Sequence, residues 1–147
     1  MRHALVDKKR IEEIDPAMLT EPVLSEEEQE IVDRGVELFN ERRFWEAHEA
    51  WEEVWKKRKE ESRIFFQGII QAAAGYHLIA EKPRYRGAAS NLEKAQKKLQ
   101  IFPGHFLGFD VSSLLSSILE AQKQLADLGP LGIVDFPQKK LPTLKKR

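Results

Sequence analysis

One short stretch, from Phe44 to Trp55, holds all three tryptophans of the chain together with a histidine and four glutamates. Tryptophan supplies a large apolar surface, whereas imidazole and carboxylate groups transfer protons and bind metal ions. This mixture indicates either a site that does chemistry or a polar network buried within a helical core.

A metal site is the more specific of these interpretations. The run from His48 to Glu52 reads H-E-x-x-E and differs from the zincin motif H-E-x-x-H only in its last residue. A carboxylate can ligate zinc, so His48 and Glu52 are the metal-ligand candidates. His48, Glu49 and Glu52 are the catalytic candidates. His77 and His105 are the available third ligands, and nothing in their surroundings favours either, so the cofactor stays unknown and no metal is the favoured expectation.

A buried structural network is the favoured interpretation. On a wheel at about 100° per residue, His48 falls inside the apolar arc and Glu52 at its edge, whereas Glu46, Glu49 and Glu53 point away. A buried carboxylate must be paired or protonated, and a histidine one turn away is its natural partner.

A second polar pair, Gln67 and Gln71, lies one turn apart on the next predicted helix. We expect it to face His48 and Glu52, forming one small polar cluster walled by tryptophans, since satisfied buried polar groups fix the register of helices. The ligand-binding candidates are therefore Trp45, Trp51, Trp55, Gln67 and Gln71.

Several other chemistries find no support in the sequence. The chain has no cysteine, which removes disulfides, thiolate ligands and a cysteine nucleophile. It has no Glu-x-x-His motif of the kind used by di-iron bundles. No serine lies in a G-x-S-x-G nucleophile elbow, and no glycine-rich phosphate-binding loop is present.

Helical periodicity organises most of the chain, and no segment alternates with period two. Five helices are predicted: about Ser25 to Phe39, Phe44 to Glu60, Ser62 to Ala80, Tyr85 to Gln100, and a last one from the N-cap Asp110 to Gly129. The third is apolar nearly all round, which places it in the middle of a bundle, and Gly68 and Gly75 on one face permit close approach of a neighbour. The expected fold is all-α: a compact bundle of about five helices with extended N- and C-terminal arms.

The chain divides into an N-terminal arm at 1–24, a helical bundle domain at 25–129 and an extended C-terminal tail at 130–147. Lys+Arg and Asp+Glu both number 24, so we expect no nucleic-acid partner. The longest apolar run, 64–80, is short for a bilayer span and holds polar residues, so no membrane partner is expected either. The first residues carry no apolar signal segment, and the absence of cysteine fits a cytoplasmic location.

Several motifs together resemble the prokaryotic domain-of-unknown-function family 309. They are Leu38-Phe39-Asn40, the E-A-H-E-x-W-E-x-x-W run ending at Trp55, Phe66-Gln67-Gly68-Ile69-Ile70-Gln71 and Arg86-Gly87-Ala88. The resemblance covers roughly residues 30–128 and implies a compact all-helical fold in a small cytosolic protein. The family is grouped under a "predicted metal-dependent hydrolase" label, which would map here onto His48, Glu49 and Glu52.

Two classes of function follow. The first is an interaction or structural module, a homo-oligomer or the partner of another protein, with a buried His-Glu-Gln cluster. The second is a metal-dependent hydrolase or small-ligand-binding protein that uses His48 and Glu52.

Overall fold

Five helices account for most of the chain. A computed structural model describes residues 11–147, so the first ten residues of the predicted N-terminal arm lie outside the described residues. The helices are α1 Glu26–Asn40, α2 Phe44–Trp55, α3 Arg63–Ala80, α4 Tyr85–Leu99 and α5 Val111–Gly132. A small antiparallel hairpin, β1 His105–Phe106 and β2 Phe109–Asp110, lies between α4 and α5. The predicted all-α bundle is confirmed; the hairpin was not predicted, because two-residue strands are too short to alternate.

Side-chain caps fix where α1 and α5 begin. The Glu28 backbone amide donates to Ser25 Oγ at 3.0 Å, and Ser25 N donates back to Glu28 Oε1 at 3.0 Å. This reciprocal capping box satisfies amides that the first helical turn leaves unpaired. The Asp110 carboxylate accepts from the Ser113 amide at 3.0 Å in the same way at α5.

α2 ends at Trp55 rather than near Glu60 as predicted. Residues 56–61 are all charged, so a longer helix would have no apolar side to bury there. Arg58 instead donates to Glu28 Oε1 at 3.0 Å and ties this connection to the start of α1.

α3 lies between α2 and α4, as its apolar sequence predicts, and most of its side chains are buried. A Cβ added at Gly68 would lie 2.8 Å from Leu99, and one at Gly75 would lie 2.7 Å from Leu92. Both leucines belong to α4, so the two glycines permit its close approach. Among the helices of residues 11–147, none is long and apolar enough to cross a bilayer.

The segment that follows α5 packs against the bundle. Its buried side chains are Ile133, Phe136, Leu141 and Leu144. The Leu144 amide donates to Asn40 Oδ1 at 2.7 Å, and Asn40 Nδ2 donates to the Leu144 carbonyl at 3.1 Å. These bonds attach the segment to the end of α1, while the division of the chain at residues 24 and 129 stays a prediction.

Candidate functional site

α2 buries one face and exposes the other, as the helical wheel predicts. The buried residues are Phe44, Ala47, Trp51 and Val54. Glu46, Glu49 and Glu53 are exposed, while His48 and Glu52 are half-buried at the boundary. The four glutamates of this helix are therefore in different environments, and only Glu52 lies beside the buried arc.

The three tryptophans have different surroundings. Trp51 is fully buried, and its indole N–H donates to the Val32 carbonyl at 3.1 Å. Trp55 is half-buried, with the Arg63 guanidinium 4.6 Å from its ring centre. Trp45 is 43% exposed. Of the three, Trp45 is therefore the one whose ring is most available to a ligand or partner, whereas Trp51 belongs to the core.

Trp45 is held in place by two histidines. Its ring stacks on His48 with centroids 4.3 Å apart and planes 16° from parallel, and the His77 ring lies 5.0 Å away. Glu81 Oε1 lies 2.9 Å from His77 Nδ1 and accepts from the Trp45 amide at 3.4 Å. An exposed indole thus rests on two imidazoles, each with its own carboxylate.

We name this group the Trp45 surface. Its residues, taken from α2, α3 and the position that follows α3, are Trp45, His48, Glu49, Glu52, His77 and Glu81.

His48 is the most buried titratable group of the Trp45 surface. Its Nε2 lies 3.7 Å from Glu52 Oε2, and its side chain is 14% exposed against 39% for Glu52. Burial lowers the pKa of His48, and this effect outweighs the opposing charges of Glu52 and Glu49. At neutral pH the imidazole is therefore uncharged, and its Nδ1 is buried without a hydrogen-bond partner.

The two glutamines do not join this histidine and glutamate. Gln71 Oε1 accepts from Lys98 Nζ at 2.8 Å, across the contact between α3 and α4. Gln67 Oε1 is buried without a partner. In the described part of the chain, no hydrogen bond links either glutamine to His48 or Glu52, so the expected four-residue cluster is not connected.

The residues present do not fit a metal centre. Within residues 11–147, no three His, Asp or Glu side chains are grouped so that they could hold one ion. Glu49, which would be the general base of a zincin-like motif, is exposed on the opposite side of α2 from the core. The metal and catalytic roles of His48, Glu49 and Glu52 stay predictions.

Sequence reasoning missed Glu81 and gave His77 no defined place. The signal is a repeated spacing: His48 precedes Glu52 by four residues, and His77 precedes Glu81 by four. Since α2 and α3 run antiparallel through a short connection, the start of one lies beside the end of the other. The two histidine–glutamate pairs therefore meet at Trp45.

Comparison with known proteins finds a family match that covers this surface. Residues 32–91 match the family described as Domain of unknown function (DUF309). A search among curated proteins found no match. The matched segment runs from α1 into α4 and includes every residue of the Trp45 surface.

Proposed function

We propose that the segment of residues 32–91, which matches the family DUF309, is a cytoplasmic protein-interaction module whose central contact residue is Trp45. The observation that carries the proposal is the exposure of this indole together with its fixed position. Tryptophan is enriched among the residues that dominate binding energy at protein interfaces.

The position of Trp45 supports this role energetically. Association costs free energy when flexible side chains become ordered at an interface. Trp45 is already ordered by the His48 stack and by the His77 and Glu81 contacts. A partner that covers this ring therefore buries a large apolar surface at a small additional entropic cost.

The two histidine–glutamate pairs have a supporting role in this proposal. His48 lies under the indole, and Glu81 bridges His77 and the Trp45 backbone. They set the orientation of the contact residue rather than perform chemistry. The partner is another protein or a second copy of the chain.

Site-specific photo-crosslinking in cells tests the proposal. The photoreactive amino acid p-benzoylphenylalanine replaces Trp45 in one variant and Leu119 in another; these residues are 43% and 44% exposed, so they form a matched pair. We expect a discrete protein adduct from position 45 and none from position 119. An adduct of twice 17.0 kDa would identify a second copy.

Equal labelling from both positions, or none from position 45, contradicts the proposal. Circular dichroism of each purified variant shows whether the bundle is intact, so a lost adduct cannot be ascribed to unfolding.

A further inference from the structure

The acidic residues around Trp45 indicate what kind of side chain covers it. We propose that the partner protein places a lysine or arginine side chain on the open face of the Trp45 indole, with its charge next to Glu49. This inference rests on the proposed interaction function and specifies the chemistry of its contact.

Glu49 provides a negative charge on the same side of α2 as Trp45. It lies one helical turn from Trp45, a spacing that puts two side chains on the same side of a helix. Glu46 and Glu53, on the same helix, have basic groups at 2.7 Å and 3.6 Å. In the part of the chain that the structure describes, Glu49 has no ion pair of this kind.

The ring itself favours a cation. The face of an indole carries partial negative charge and attracts ammonium and guanidinium groups that lie within about 6 Å. One side of the Trp45 ring is stacked on His48, and the exposed fraction of the residue leaves ring surface for a second group.

Other side chains fit this surface less well. An acidic group would be repelled by Glu49, Glu52 and Glu81. A purely apolar group would cover the indole but would also remove water from Glu49 without replacing it, and an unpaired desolvated carboxylate is costly. A basic side chain satisfies both the ring and the carboxylate.

Titration of the full chain with short peptides, followed by NMR, tests the inference. The probe is a peptide whose only charged side chain is a central arginine, and its control replaces arginine with citrulline, which keeps the shape and loses the charge. The readout is the indole N–H resonance of Trp45, assigned by its absence in Trp45→Leu. We expect the citrulline peptide to bind about tenfold more weakly, the loss of one cation–π and ion-pair contact.

Matched variants separate the contributions of ring and charge. Trp45→Leu keeps apolar bulk without the aromatic face, and its binding is measured by isothermal titration calorimetry because it has no indole resonance at this position. Glu49→Gln keeps shape without charge. Each variant is expected to weaken arginine-peptide binding several-fold. Glu53→Gln removes a carboxylate that already has a basic partner, Lys56, directly after the helix, and it is expected to leave binding unchanged.

The inference is overturned if the arginine peptide does not shift Trp45, if both peptides bind equally, or if Glu49→Gln and Glu53→Gln behave alike. Each of these results leaves the interaction module intact provided that position 45 still crosslinks to a protein. If position 45 does not crosslink to a protein, the proposed function itself is contradicted.

Discussion

His48 lies between an indole and a carboxylate, and its burial determines its charge. The unfolded chain binds a proton at this residue near pH 6.5, whereas the folded chain, with its lowered pKa, binds it only at lower pH. Between these two values the unfolded state holds more protons, so folding is weakened as the pH falls. His48 therefore stabilises the fold fully above about pH 6.5 and loses that contribution below it.

We expect the free energy of unfolding to be lower at about pH 5.5 than at about pH 7.5. In His48→Gln this difference should be smaller. One proton limits the effect to about 1.4 kcal/mol per pH unit. Urea denaturation of the parent chain and of the variant at both pH values measures the effect, and the difference between the two isolates the contribution of His48. His105→Gln, at an exposed histidine, is the control; an equal change from both variants would contradict the assignment.

The metal-dependent alternative makes a different prediction for the same residue. Since the residues around His48 do not form a set of ligands, we expect purified protein to contain no stoichiometric zinc, manganese or iron by elemental analysis. We also expect His48→Ala to lower stability without changing metal content. Stoichiometric metal that disappears in His48→Ala would instead support a hydrolase or ligand-binding role.

At the scale of single residues, the sequence predicted on which side of its helix a residue lies, but not which residue of another helix it contacts. Helical periodicity correctly separated Glu52 from Glu46, Glu49 and Glu53, because rotation about one helix axis depends only on spacing. The partner of Gln71 could not be found in this way. It is Lys98, on a different helix, and the register between two helices depends on their packing rather than on either sequence alone.

At the scale of secondary-structure elements, α1 and α2 are in contact where Gly35 packs against Trp51. A Cβ at Gly35 would overlap the Trp51 indole, and Trp51 is fully buried. We expect Gly35→Ala to lower the free energy of unfolding by about 1–3 kcal/mol, the usual cost of overpacking.

A double-mutant cycle measured by urea denaturation checks this origin. In a Trp51→Leu background the smaller side chain leaves room for the added methyl group, so Gly35→Ala should cost much less there. Identical losses in both backgrounds would show that the cost does not arise from the contact with Trp51.

A helix could be predicted from the sequence where one local pattern was strong. The apolar circumference of α3 predicted its central position, and the capping box predicted the start of α1. The hairpin was missed because its turn depends on Leu107 and Gly108 at φ 51° and 83°, and a leucine in this left-handed region gives no sequence signal.

At the scale of the whole molecule, the segment after α5 is attached by side chains that lie far away in sequence. Asn40 exchanges two hydrogen bonds with the Leu144 backbone. We expect Asn40→Ala to lower the free energy of unfolding by about 1–3 kcal/mol, since both bonds are part-buried. Hydrogen exchange should show faster exchange of the Leu144 amide in the variant.

Asn91→Ala is the matched control for this change. The Asn91 amide bonds the Gly87 carbonyl within its own helix at 2.9 Å, so its loss should leave the Leu144 amide protected. Faster exchange at Leu144 in both variants would mean that the effect is a general loss of stability.

This attachment was not predictable from the sequence. Prolines and basic residues after residue 130 are typical of an extended, solvated tail. The segment instead contains two short 3-10 helices, Ile133–Asp135 and Gln138–Lys140, and most of its apolar side chains are buried. The residues that hold it are separated from it by about a hundred positions, and no local periodicity records a pairing over that distance.

The link between Asn40 and Leu144 also has a consequence for the order of events during translation. The ribosome completes α1 long before it reaches residue 144, so the end of α1 leaves the exit tunnel with its side-chain amide still bonded to water. Synthesis proceeds at about 5–20 residues per second. The two hydrogen bonds of Asn40 can therefore form only after the segment that carries Leu144 has emerged.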